Sequence, residues 1–390
     1  MIRFQESEEE PDFSQEDHLT SSCQPLHQCI ATLVCHTASY ISSLTLAGKR
    51  LYTGSNDGVV RLWNANTLET LAEASSNGDV ITGERGGGGA VKSLVILADK
   101  LFTAHQDHKI RVWKINDVVE EDVGGKRYMH VATMPTISDR FAKCLMPKDQ
   151  VEIRRHKKAS WVHHVDAVSG LALSRDGTLL YSVSWDRTLK IWRTSDFKCL
   201  ESFTNAHDDA INAVALSENG DIYTGSSDQR IKVWRKNINE ENEKKKKKKK
   251  HSLVAILSEH NSGINALALS GNNGTLLHSG GSDGSILVWE REEGGDIVLV
   301  GMLRGHTESV LCLAVVSDIL CSGSADKTVR LWKCSGTDYS CLAMLEGHIG
   351  PVKCLTGAIR HSGKPSEASY HIYSGGLDSQ VKVWQILVPT

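Results

Sequence analysis

The sequence predicts an all-β repeat protein built from seven similar units. Three observations carry this. A phrase running from Leu51 to Trp63 recurs with small changes, ending at Trp63, Trp113, Trp192, Trp234, Trp289, Trp332 and Trp384. In every copy an Asp stands six residues before the Trp (Asp57, Asp107, Asp186, Asp228, Asp283, Asp326, Asp378), and a Ser or Thr stands four residues before that Asp (Thr53, Thr103, Ser182, Thr224, Ser279, Ser322, Ser374). Each copy also reads as strand, tight turn, strand: a short β-forming run such as Ile231-Lys232-Val233-Trp234 follows a Gly, Ser or Asp turn. Self-similarity at a fixed period marks a repeat architecture.

A second signal precedes five of the copies. His164, His207, His260, His306 and His348 are each followed four residues later by Val or Ile, and seven later by Leu or Val. His36 precedes the first copy with its apolar partner displaced by one residue, and Gly87 stands where the second copy would carry His. The second unit is therefore expected to be the least stiff. Together these residues resemble the WD-repeat family, from about Leu26 to the C-terminus. The resemblance implies a four-stranded blade per repeat and a hydrogen-bonded chain of His, Ser/Thr, Asp and Trp within each. A buried Asp needs partners, and the His and hydroxyl groups supply them while the indole N–H finds an acceptor.

Seven such repeats imply a seven-bladed β-propeller. In the family one repeat spans the outer strand of one blade and three strands of the next, so the last blade lacks a strand. Residues 26–34 are placed to supply it from the N-terminus and close the ring, which removes sheet edges. The domain reading is an acidic disordered tail over 1–22 and a propeller over 23–390, with an insert at 116–163 and a lysine-rich loop at 237–251.

Composition agrees with a folded, non-basic chain. Of 390 residues, 40% are hydrophobic and 23% charged, with a net charge of −3. That excludes a wholly disordered chain and argues against direct nucleic-acid binding. No run approaches the length of a membrane span. The first residues are acidic where a signal peptide would be basic, so a cytoplasmic, and by extension nuclear, location is expected. Ten scattered Cys without a CxxC pair indicate neither zinc nor a disulfide framework.

The units between Trp192 and Trp234, and between Trp289 and Trp332, are bare; the other intervals are longer and mark loops. Residues 78–89 are Gly-rich. The stretch 116–163 contains the basic run Arg154-Arg155-His156-Lys157-Lys158, and 237–251 contains seven consecutive lysines, 244–250. Residues 357–369 would interrupt the last blade. We call the face carrying the Asp turns the top. By connectivity 78–89 and 135–163 belong there, and the lysines on the opposite face. The lysine run reads first as a solvated loop, flanked by Glu240, Glu241 and Glu243, and second as an import signal.

Sharper chemistry finds little support. The run from Gly83 to Ser93 has Val91 before Lys92, not the Gly of a phosphate loop. No nucleophile elbow, HExxH or Cys/His constellation appears, so no catalytic, metal or cofactor residue is assigned. The recurrent histidines read as architecture. His105 and His108 flank Asp107 at a top turn and are candidates for exposure.

The closest resemblance within the family is to the plant Jingubang WD-repeat proteins, carried by residues 102–113, by the insert from Leu145 through Arg154 and Lys158 to Trp161, and by Tyr181 to Asp186. It implies a regulatory role in pollen germination and tube growth. The leading functional reading is a non-enzymatic scaffold binding other proteins, a transcriptional regulator among them, as a monomeric propeller within complexes. Alternatives are a ubiquitin-ligase substrate receptor and a channel-based enzyme. The first is weakened because Asn64, Lys114, Arg193, Arg235, Glu290, Lys333 and Gln385, not Asp, follow the seven Trp. The candidate partner site is Trp185 with Arg187 and the insert residues Arg154, Arg155, Lys157, Lys158 and Trp161, together with His105 and His108. An aromatic ringed by basic groups suits an acidic or phosphorylated segment.

Overall fold

The computed structural model describes residues 26–34, 39–67, 81–82, 89–116, 128–136, 149–153, 156–160, 162–237, 250–271, 274–335, 338–361 and 367–389. They form seven four-stranded antiparallel sheets and one separate hairpin, Asp149–Ile153 with His156–Ser160. The seven sheets are the blades of a propeller.

Blades are numbered along the chain by their innermost strands: Ile41–Ala47, Val91–Leu97, Val168–Leu173, Ile211–Leu216, Ile264–Ser270, Val310–Val316 and Val352–His361. The first residue of each is Ile or Val and fully buried. Second and third strands follow through the Asp turn, and the outer strand completes each blade. Blade 7 takes its outer strand, Leu26–Val34, from the N-terminus, antiparallel to Gln380–Pro389 in a register running from Leu26 opposite Leu387 to Val34 opposite Gln380. The expected closing strand is present with the expected bounds.

Why the ring must close follows from where the core lies. The buried apolar residues fall into seven groups, each straddling a seam between adjacent blades. The repeated Trp packs backward: Trp113 joins Tyr52, Val60 and Leu62 of blade 1, and Trp192 joins Phe102, Ala104 and Val112 of blade 2. Among the described residues every buried group draws on two blades, so each blade needs both neighbours. Close approach at the seams is helped by glycine on the second strand. A Cβ at Gly323 would lie 2.7 Å from Val352 Cγ1 of blade 7.

Two of the long intervals contribute strands that the repeat spacing does not suggest. The stretch 116–163 contains the outer strand of blade 2, Tyr128–Met134, as well as the separate hairpin. Residues 357–369 do not interrupt blade 7. Residues 357–361 and 367–369 lengthen its first two strands, Val352–His361 and Glu367–Gly376, which pair as far as His361 opposite Ala368. The base of the lysine loop is closed by the Asn237 N–H donating to the Lys250 carbonyl at 2.9 Å. Lys244 to Lys249, His36, Gly87 and residues 1–22 lie outside the described residues.

Candidate functional site

The Asp turn is the unit from which the top face is built. In all seven blades the Asp carboxylate accepts the backbone N–H two residues on, from Val59, Lys109, Thr188, Arg230, Ser285, Thr328 and Gln380. The residue between is left-handed each time: Gly58, His108, Arg187, Gln229, Gly284, Lys327 and Ser379, with φ between 60° and 82°. A short carboxylate that bonds its own backbone holds such a turn. Two of the predicted site residues, His108 and Arg187, are thus turn residues. His108 is exposed and Arg187 half-buried.

Behind the turn lies the hydrogen-bonded chain. All seven indole N–H groups donate to the Ser/Thr hydroxyl ten residues earlier, at 2.8–3.1 Å: Trp63 to Thr53, Trp113 to Thr103, Trp192 to Ser182, Trp234 to Thr224, Trp289 to Ser279, Trp332 to Ser322 and Trp384 to Ser374. His164, His207, His260, His306 and His348 each bring Nε2 within 2.7–2.8 Å of that hydroxyl. On the other ring nitrogen, His207, His306 and His348 meet Asp228, Asp326 and Asp378 at 2.7–2.8 Å. His164 Nδ1 lies 2.8 Å from the Thr188 hydroxyl and 3.4 Å from Asp186.

Blade 5 departs from the expected chain. Asp283 is exposed and bonds the hydroxyl and N–H of Ser285, and its own N–H donates to Ser262. The buried His260 Nδ1 is left without a partner. Ser262 occupies the second position after the motif His, where blades 3 and 4 carry Asp166 and Asp209, and its hydroxyl draws Asp283 away from the ring.

The second correction is His105, which is buried at 2% exposure rather than offered at the turn. Its Nε2 lies 2.8 Å from Thr103 Oγ1, the atom that the motif His reaches in other blades. Blade 2, with Gly87 at the motif position, fills the same place from its own second strand. Its Asp107 is held by Arg111 through two bonds, at 2.7 and 3.2 Å. In blade 1, Arg61 at the same offset from Asp57 approaches that carboxylate at 3.7 Å and donates to Ser55 at 3.2 Å. In blade 2 an Arg four residues after the Asp thus supplies the counter-charge, and blade 1 carries an Arg at the same offset. That shared offset was visible in the sequence.

The electrostatics give the chain a pH dependence. Burial alone would raise the Asp228 pKa, but the His207 hydrogen bond and charge outweigh it and hold it down at about 2. Burial pushes His260 down to about 4 against the charges of Asp283 and Glu259. It pushes His278 down to about 4 as well, against the Ala268 carbonyl. A folded pKa below the unfolded value near 6.5 means stability that is complete above that value and lost as pH falls toward 4. The carboxylate contribution goes at lower pH, from about 4 through 2. The melting temperature should therefore fall between pH 6.5 and 4. His278→Phe, which places the blade 2 residue Phe102 at the matching position, should flatten that decline. An unchanged slope would contradict the assignment.

At the proposed partner site, Trp185 is half-buried on the top turn of blade 3, its N–H donating to the Ala167 carbonyl at 3.1 Å. The cation beside it is Lys92 of blade 2, with Nζ 5.2 Å from the ring centroid. In the sequence Lys92 figures only in the run that fails the phosphate-loop pattern. Arg154, Arg155 and Trp161 lie outside the described residues. The backbones of Lys157 and Lys158 belong to the second strand of the separate hairpin, opposite Glu152 and Val151. The top of blade 7 adds two apolar side chains, Ile349 at 76% and Leu377 at 41% exposure. Among the described residues no group of three His, Cys, Asp or Glu could hold a metal ion.

This chain belongs to the WD domain, G-beta repeat family, whose pattern matches residues 27–64, 156–193, 197–235, 251–290, 297–333 and 339–385, more than half its length. Blade 2, which has the Gly87 substitution, falls between the matched segments. Among its relatives is zinc finger CCCH domain-containing protein 62 of Arabidopsis thaliana, 30% identical over 45% of this chain and 38% of that protein. Apoptotic protease-activating factor 1 of Danio rerio is 28% identical over 59% of this chain and 16% of its own. The ubiquitin fusion degradation protein 3 homolog of Caenorhabditis elegans is 25% identical over 57% and 24%. The chain thus matches well under two thirds of each of these relatives.

Proposed function

We propose that the protein is a non-enzymatic interaction scaffold whose partners dock on the top face around Trp185. The observation that carries this is the comparison of the seven turns. Where blade 3 has Trp185, the others have Asn56, Gln106, Ser227, Ser282, Ala325 and Leu377. A Trp there is not required by the turn, and large aromatics beside cations are frequent anchors of interfaces. A rigid ring with variable top residues suits recognition of protein segments.

The partner class we favour is an acidic or phosphorylated segment, with a transcriptional regulator as one candidate and the propeller acting as a monomer within complexes. The Jingubang resemblance of residues 102–113 and 181–186 supports a regulatory role in plant pollen. The lysine run would supply nuclear import beside a cytoplasmic pool. A substrate receptor for a ubiquitin ligase is the second reading; one relative carries ubiquitin in its name. The test of the docking face is a photo-crosslinking residue placed at Leu377 on top, or at Gly294 in the loop below. The proposal expects partner crosslinks from position 377 and none from 294. The reverse pattern would overturn it.

A further inference from the structure

At the lower seam between blades 4 and 5, one buried carboxylate is served by two guanidinium groups. Asp221, its side chain 2% exposed, stands just before the second strand of blade 4. Arg235 of the same blade donates to it from Nε at 2.8 Å and from Nη2 at 2.9 Å. Arg291 of blade 5 donates from Nη2 to the same Oδ2, and from that nitrogen to the Tyr223 hydroxyl at 2.8 Å. Burial alone would raise the Asp221 pKa, but the Arg235 hydrogen bond and the Arg291 charge hold it below the usual carboxylate range. Asp221 is therefore ionised, and the two-pronged Arg235 contact already balances it. The cluster carries one positive charge in surplus. Among the described residues neither arginine has a second carboxylate within ion-pair distance.

The repeat does not ask for this second cation. Two residues after the repeated Trp, where blade 5 has Arg291, the other six copies have Ala65, Ile115, Thr194, Lys236, Cys334 and Ile386. Both guanidinium groups line one cavity of about 420 Å³, whose other wall is apolar: Val254 and Ile256 on the outer strand of blade 4, both exposed, and Ile297 of blade 5. Gly294 and Gly295 form part of the rim, where an added Cβ would meet no atom within 4 Å. The exposed Asp296 also lies on the rim and pairs with neither arginine. The volume falls within the range of small-molecule sites, roughly 300–1,000 Å³.

We propose that this cavity binds a small organic carboxylate, whose charged group meets the N–H groups of Arg235 and Arg291 that Asp221 does not take, and whose apolar body lies on Val254, Ile256 and Ile297. One surplus charge matches a monoanion better than a phosphoryl group, which carries close to two charges at neutral pH. The seat is on the face opposite the Asp turns, so it goes beyond the docking reading and does not rest on it.

The experiment is calorimetric titration of the full chain with hexanoate and benzoate, against acetate, which lacks the apolar body, and hexanamide, which lacks the charge, at constant ionic strength. Saturable binding of hexanoate or benzoate is expected, with a dissociation constant of about 1 mM or tighter, and acetate and hexanamide about tenfold weaker or more. Arg235→Gln leaves Asp221 its Arg291 partner and cancels the surplus charge. It should melt within a few degrees of the wild type and bind about tenfold more weakly or worse. Ile256→Asp, at an exposed position, places a like charge in the apolar wall and should weaken binding to a similar degree. Asp296→Asn removes a like charge from the rim and should bind at least as tightly as the wild type. Absence of saturable carboxylate binding, or binding unchanged in both Arg235→Gln and Ile256→Asp, would overturn the seat. Weaker binding in Asp296→Asn would also overturn it, because the ligand would then be held by its cation. Crosslinking from positions 377 and 294 reports protein partners and so reads the docking face separately.

Discussion

Removing residues 1–36 lowers the melting temperature by about 10 °C or more, whereas removing residues 1–22 leaves it nearly unchanged. The longer deletion takes away the whole strand Leu26–Val34 and its pairing with Gln380–Pro389. It removes Leu33, which is 6% exposed, together with Ile30 and Ala31, and uncovers Val381, Val383 and Trp63, the residues they pack with. The strand Gln380–Pro389 becomes a bare edge, which is also an aggregation template. Ladder bonds at about 1 kcal/mol each, with the apolar burial, make a loss of several kcal/mol. Calorimetric melts of the two truncations check this, and equal values would mean that the N-terminal strand does not close the ring.

Trp192→Ala should cost on the order of 3–5 kcal/mol, the range for truncating a buried aromatic. Trp192 is 1% exposed and packs across the seam between blades 2 and 3 against Phe102, Ala104 and Val168. Its indole N–H also leaves the Ser182 hydroxyl, 2.8 Å away. Trp192→Phe keeps most of the packing and loses the bond, so it should cost less, about 1–2 kcal/mol. Urea titrations of the three proteins separate the two contributions. A Trp192→Ala midpoint equal to the wild type would remove the seam account.

What was legible from residues alone follows from covalent spacing. Ser182, Asp186 and Trp192 sit on one hairpin, so their offsets are fixed by two strands and a turn, and the same offsets appear seven times. The closing strand was legible because the last repeat ends one strand short. Less legible were contacts in which different side chains reach one point in space from different backbone positions. His105 occupies the place of a missing histidine from the second strand, and Arg111 supplies its charge from the third. No offset from the motif His predicts either. The break between His260 and Asp283 depends on a serine two residues away. The contact of Lys92 with the Trp185 ring was not legible because the direction of Lys92 is set by a backbone bulge, which re-aims a side chain relative to strict alternation.

The central claim is that shared residues hold the ring while the unshared residues of the top face do the binding. The most direct measurement takes Trp185→Ala with Arg187→Glu, and reads melting temperature and recovery of crosslinked partners on the same preparations. Beside it stands Trp192→Ala, seven residues along the same hairpin. The account predicts that the Trp185/Arg187 variant melts within a few degrees of the wild type while partner recovery collapses. A large fall in the melt with partners retained would contradict it, and would make Trp185 a structural plug between blades 2 and 3.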